Sequence, residues 1–178
     1  MQNFLTLAES LNQQLEVFGY VRDNKHVIPN AIYISFVKNS KIFIVRNACA
    51  VLDIPDNLDR IDPLKRYFNF IRSNLLSEYG DAILWKELEF CLVGICSPQA
   101  FKVIKDHEAK MVEAVSFSLQ SMLGCCFIDR ESLDYYAYST WGLFFAGAHF
   151  KAVQRVVENW CQNHKSGPAG LIGQQAPA

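Results

Sequence analysis

Ala31-Ile-Tyr-Ile-Ser-Phe-Val37 and Lys41-Ile-Phe-Ile-Val-Arg46 are two β-rich runs separated by Lys38-Asn39-Ser40, and their reading decides the fold class. β-Branched and aromatic residues suit a pleated chain, and a short polar break between two such runs signals a hairpin. Asn39 tolerates the left-handed backbone of a tight turn. Ile32, Ile34 and Phe36 alternate with Tyr33, Ser35 and Val37, which predicts one face fully buried and the other partly so.

Upstream, Phe4, Leu7, Ala8, Leu11, Leu15 and Phe18 recur every three or four residues, the period of an amphipathic helix over 3–18, and Gly19 stands where a helix-ending glycine belongs. Downstream, Asp53, Asp56, Asp59 and Asp62 form an acidic loop. It lacks the alternating ligands and the turn glycine of a calcium loop, so Asp62 is read as the cap of a helix opened by Pro63 and running to about Tyr79. Residues 88–96 read as a strand. Ser97-Pro98 reads as a helix start, and Ile104, Met111, Val112, Val115, Leu119 and Met122 carry the helical period to Gly124, with a strand at 115–119 as the rival reading. Cys125-Cys-Phe-Ile-Asp129 is short and apolar. Leu143, Ala146, Phe150, Val153, Val157 and Trp160 mark a long C-terminal helix. These elements predict an α+β, helix-dominated single domain over 1–165, with a β-hairpin and a small, mainly antiparallel sheet. Residues 166–178 have the Gly/Pro/Ala/Gln makeup of a flexible tail.

The chain has 178 residues, 51% of them hydrophobic, enough to build a core without disulfide staples. Seventeen Lys and Arg nearly cancel eighteen Asp and Glu, so no long-range field gathers nucleic acid or an anionic membrane. No secretory leader is read at the N-terminus, and the longest apolar stretch, Trp141 to Phe150, is about half the roughly 20 residues a membrane span needs. The expectation is a cytoplasmic protein with no membrane span. Cys49, Cys91, Cys96, Cys125, Cys126 and Cys161 lie in apolar surroundings and read as reduced, buried thiols.

Chemical motifs are sparse. Phosphate-binding glycine patterns, the serine nucleophile elbow and the paired-histidine zinc motif do not occur, and no cofactor is expected. Cys161-Gln-Asn-His164 has zinc-like spacing, but adjacent Cys125 and Cys126 point to opposite sides of a strand and cannot complete the site together, so no metal is expected. Gly124-Cys125 and Asn47-Ala48-Cys49 could place a thiolate at an element end, which keeps a cysteine-dependent enzyme as a third reading.

The strongest feature is aromatic density: Tyr135, Tyr136, Tyr138, Trp141, Phe144, Phe145, Phe150 and Trp160 fall within 26 residues. So many rings cannot all fit one core stripe: either the helix is central and buried on all sides, the reading favoured for the rings themselves, or part of its surface receives a partner, since tyrosine and tryptophan anchor interfaces. The leading reading is a non-enzymatic protein-binding protein, an adaptor, chaperone or inhibitor, acting through Tyr135, Tyr138, Trp141, Phe145 and His149, with a protein partner or a homodimer. The second is a sensory or carrier domain holding a small molecule in a pocket lined by the same residues. No motif matches a known family residue by residue.

Overall fold

Three short runs with no alternation of apolar and polar residues, Ala48-Cys-Ala-Val-Leu52, Cys91-Leu-Val-Gly-Ile-Cys96 and Gly124-Cys-Cys-Phe-Ile128, are buried throughout. Such sequences suit strands covered on both faces, the usual condition of parallel strands. In a computed structural model they form β3 (Arg46–Asp53), β4 (Leu88–Cys96) and β5 (Met122–Asp129), and β4 pairs parallel to both neighbours. The structure describes residues 4–23, 28–37, 46–79, 88–107, 122–139 and 147–165.

Antiparallel strands extend this centre on both sides. β1 (Tyr20–Arg22) and β2 (Ala31–Val37) lie beyond β3, and β6 (Tyr135–Ser139) lies beyond β5, giving one sheet in chain order, β1 to β6. The sheet is therefore mixed, not mainly antiparallel as the hairpin reading implies. Two parallel neighbours require crossover connections, and α2 (Ile61–Tyr79) lies in the first while α3 (Pro98–Asp106) lies in the second.

Leu64, Phe68, Ile71 and Leu75 of α2, with Ala100, Phe101 and Ile104 of α3, cover one face and meet Ala50, Leu92 and Phe127. The other face is covered by α1 (Phe4–Glu16) and α4 (Gly147–Lys165), whose Leu7, Leu11, Leu15, Val153, Val157 and Trp160 meet Cys49, Val93 and Ile128. The result is an α+β domain of three layers with four helices among the described residues.

Several local expectations hold. The turn that follows α1 closes at Gly19, whose N–H donates to the Glu16 carbonyl and whose φ of +79° is free for glycine and strained for other residues. Ser97 caps α3 by accepting from the Ala100 N–H at 3.3 Å, with Pro98 at the first helical position. α2 begins at Ile61, so Asp62 sits in its first turn and does not cap it. Other expectations are corrected. β2 pairs with Arg46–Asp53, while most of the second predicted hairpin run falls in 38–45, outside the described residues. Tyr33, Ile34 and Ser35 are all buried, because helices cover both sides of β2 and alternation is lost. Met122 to Gly124 belong to β5, not to a helix; the rival strand at 115–119 lies outside the described residues, as do the tail at 166–178 and Leu143 to Ala146 of the predicted terminal helix.

Gly94 of β4 faces Ile54 and Phe127 with no room for a side chain between them. A Cβ there would stand 2.7 Å from Ile54 Cδ1 and 2.9 Å from Phe127 Cδ1. Gly94→Ala is expected to lower unfolding free energy by about 1–3 kcal/mol through overpacking. Urea denaturation measures this, and an unchanged midpoint would show that the sheet centre has room to spare.

Candidate functional site

Asp129 reverses the chain from β5 into β6. Its Oδ1 accepts from the Glu131 N–H at 2.9 Å, and its own N–H donates to the Asp134 carbonyl at 2.8 Å. Leu133 takes a left-handed φ of +56° in this turn, a conformation that costs a non-glycine residue energy, and its burial offsets the strain. The turn delivers Tyr135 to the head of the outermost strand.

The hydrogen-bond phase of β6 follows from that turn. Asp129 and Asp134 are directly opposed and bonded, so Phe127 with Tyr136 and Cys125 with Tyr138 are the other bonded pairs. The N–H and C=O groups of Tyr135, Ala137 and Ser139 therefore point outward, and no strand pairs with that side among the described residues. The Tyr135 ring and Ala137 pack toward the α1 and α4 layer, and Tyr136 packs toward the α2 and α3 layer. Burial first, and the Glu158 carboxylate second, push the Tyr135 phenol up. Lys165 at the end of α4 pairs with Asp134 at 2.5 Å and holds its carboxyl below the usual range.

His149 lies at the other end of α4. Its Nδ1 is 3.1 Å from the Tyr20 hydroxyl and 3.3 Å from Asn47 Nδ2, and its ring is 4.7 Å from that of Phe18. Burial lowers its pKa. Glu158, beside Tyr135, is nine residues further along α4, about 14 Å at the helical rise. The structure therefore does not gather Tyr135 and His149 around one cavity. Tyr138 is placed by its backbone opposite Cys125 on β6, and Trp141 and Phe145 lie outside the described residues.

The carboxyl ends of parallel strands are the usual ligand position in open sheets. Here the chain's own groups cross them: Arg130 pairs with Asp53 and, at 2.8 Å, with Asp56, and its N–H donates to the Cys96 carbonyl. Two aspartates of the acidic loop are thus engaged in ion pairs. A cleft of about 510 Å³ lies elsewhere, between the start of α2 and the end of α3, lined by Arg60, Asp62, Arg66, Val103 and His107 among others. Neither Tyr135 nor His149 is among the described residues that line it.

All six cysteines are buried and none is in a disulfide. Cys49 and Cys125 lie inside strands and not at element ends, and desolvation pushes the Cys49 thiol up to about 12 and the Cys161 thiol up to about 11. Cys126 packs on the α4 side of the sheet and Cys125 on the α2 side, so the pair cannot share one ion. His164 donates no nitrogen to a cluster: its Nδ1 is 2.8 Å from the Trp160 carbonyl and its ring stacks on that indole. Among the described residues no group of three or more His, Cys, Asp or Glu could hold a metal.

No protein-family model matches the chain, and comparison with curated proteins and with solved structures found no match.

A buried thiol kept protonated is a poor nucleophile. The native protein is expected to leave all six cysteines unmodified by iodoacetamide at pH 8 over hours, and the urea-unfolded chain to react at all six. One fast-reacting thiol in the native state, counted by mass spectrometry, would restore the cysteine-dependent reading.

Proposed function

We propose that this chain is a non-enzymatic protein-binding protein that receives an extended segment of a partner protein along β6, as an adaptor, chaperone or inhibitor would. The observation that supports the reading is the contrast between its two edge strands. β1 is three residues long and carries Arg22, both devices that keep an edge from pairing with strangers. β6 is five residues long, Tyr-Tyr-Ala-Tyr-Ser, with no charge and no proline.

Tyr135, Ala137 and Ser139 direct two backbone groups each toward the side of β6 that no described strand pairs with. An added antiparallel strand satisfies them through about six hydrogen bonds, each contributing about 0.5–1.5 kcal/mol net. The half-buried rings of Tyr135 and Tyr136, one on each face of the sheet, flank the path of such a strand and supply rigid contact area at low entropic cost. The exposed apolar side chains Leu5, Val17, Val21 and Phe70 are spread over α1, its following turn, β1 and α2 and need no partner to explain them.

Native mass spectrometry of the untagged protein from its own cells tests the proposal. The expected result is a stoichiometric assembly, with a partner or with a second copy, that Ala137→Pro reduces to the single chain by removing an outward N–H. Ser139→Pro serves if the first variant does not fold. A single chain at all concentrations, or an assembly indifferent to both variants, would overturn it.

A further inference from the structure

Three histidines are described, and their Nδ1 atoms meet different partners. Nδ1 of His107 faces the Val103 carbonyl at 3.0 Å and Nδ1 of His164 faces the Trp160 carbonyl at 2.8 Å. A carbonyl only accepts, so each of these nitrogens carries its proton whether the ring is neutral or charged. His149 is the reverse case. Its Nδ1 receives the Asn47 amide N–H and the Tyr20 hydroxyl, two donors on one acceptor, and that acceptor exists only while the ring is neutral with its proton on Nε2.

The three residues belong to three separated parts of the chain. Tyr20 opens β1 directly after the Gly19 corner, Asn47 lies at the start of β3, and His149 is in the first turn of α4. Asn47 Oδ1 is buried with no partner among the described residues, so the amide's attachment to the fold at this point rests on its Nδ2 bond. Phe18 and Tyr20 lay their rings against the half-buried imidazole at 4.7 and 5.6 Å and cover part of it.

We propose that His149 is an acid-released latch: neutral, it fastens the α1–β1 corner and the start of β3 to the first turn of α4, and protonation of Nδ1 unfastens them. Among the described side chains the titratable group facing the ring is the Tyr20 phenol. Lys151 of α4 is exposed, Arg22 of β1 lies over the Tyr33 ring, and Glu16 of α1 accepts from Asn12. Among the described residues no carboxylate stands by to stabilise the imidazolium. The far end of the α1–α4 contact is held by Trp160 Nε1, which donates to Thr6 Oγ1 at 2.9 Å, and by the Phe4 ring against Trp160. Release is therefore local to the His149 end.

The sign follows from which state binds the proton. An opened His149 titrates near 6.5, and the closed one resists, so closure is fully present above that pH and is lost as pH falls through it. At pH 5.5, one unit below, the closed state loses up to about tenfold in population relative to the open one.

The test combines histidine 15N NMR with amide hydrogen exchange at pH 7.5 and 5.5, corrected for intrinsic rates. The wild type is expected to show the Nε2–H tautomer of His149 at pH 7.5 and about a tenfold loss of protection around residues 20–22 and 149–153 at pH 5.5. His149→Gln is expected to lose no extra protection. Tyr20→Phe, which removes one donor and keeps the ring, is expected to raise the His149 midpoint toward 6.5, and it serves alone if the glutamine variant does not fold. An Nδ1–H tautomer, equal pH dependence in wild type and His149→Gln, or an unmoved midpoint in Tyr20→Phe would each overturn the latch.

Discussion

Burial of β3, β4 and β5 on both faces is the constraint from which the rest of the architecture follows. A strand in the middle of a parallel sheet has no wet side, so each of its residues needs cover above and below. Ala48 to Leu52, Cys91 to Cys96 and Cys125 to Ile128 satisfy that demand with apolar side chains, small or branched except for Phe127. The demand in turn requires a helical layer on each face: α2 and α3, which lie in the crossovers, on one, and α1 and α4, drawn from the two ends of the described chain, on the other.

The helices were legible because their period is local. Leu7, Leu11 and Leu15 announce α1, Ser97-Pro98 announces α3, and residues 88–96 were readable as a strand from β-rich content alone. The parallel centre was not legible for a physical reason. A strand buried on both faces has no two-residue alternation, so Ala48-Cys-Ala-Val-Leu52 carries no periodic signature, and Met122 falls by chance at helical spacing from Leu119 and Val115. Pairing direction was equally hidden, since it depends on the crossovers and not on the strands.

The candidate site divides the same way. Aromatic density drew attention to Tyr135 and Tyr138, and the structure places both on β6, the last strand of the sheet, which composition could not show. Edge position is a property of sheet order, and sheet order is not written in any one window. His149 stood out as a histidine in an apolar run, yet its partners Tyr20 and Asn47 are 129 and 102 residues away in sequence. The Asp129 turn, by contrast, had a readable signal in an Asp followed by Glu, Ser and Asp, a common composition for a side-chain-capped reversal.

The six enclosed thiols make the fold a one-way vessel under oxidation. While the sheet is closed, oxidants meet no thiolate, and the cysteines spread over both layers hold no cross-link that would limit motion. A molecule that opens in oxidising surroundings exposes sulfurs that belong to opposite faces, and any bridge formed between them opposes the return of both layers. Survival of such a protein is then set by how rarely it opens, and the rate of unfolding, more than the equilibrium between states, fixes its lifetime.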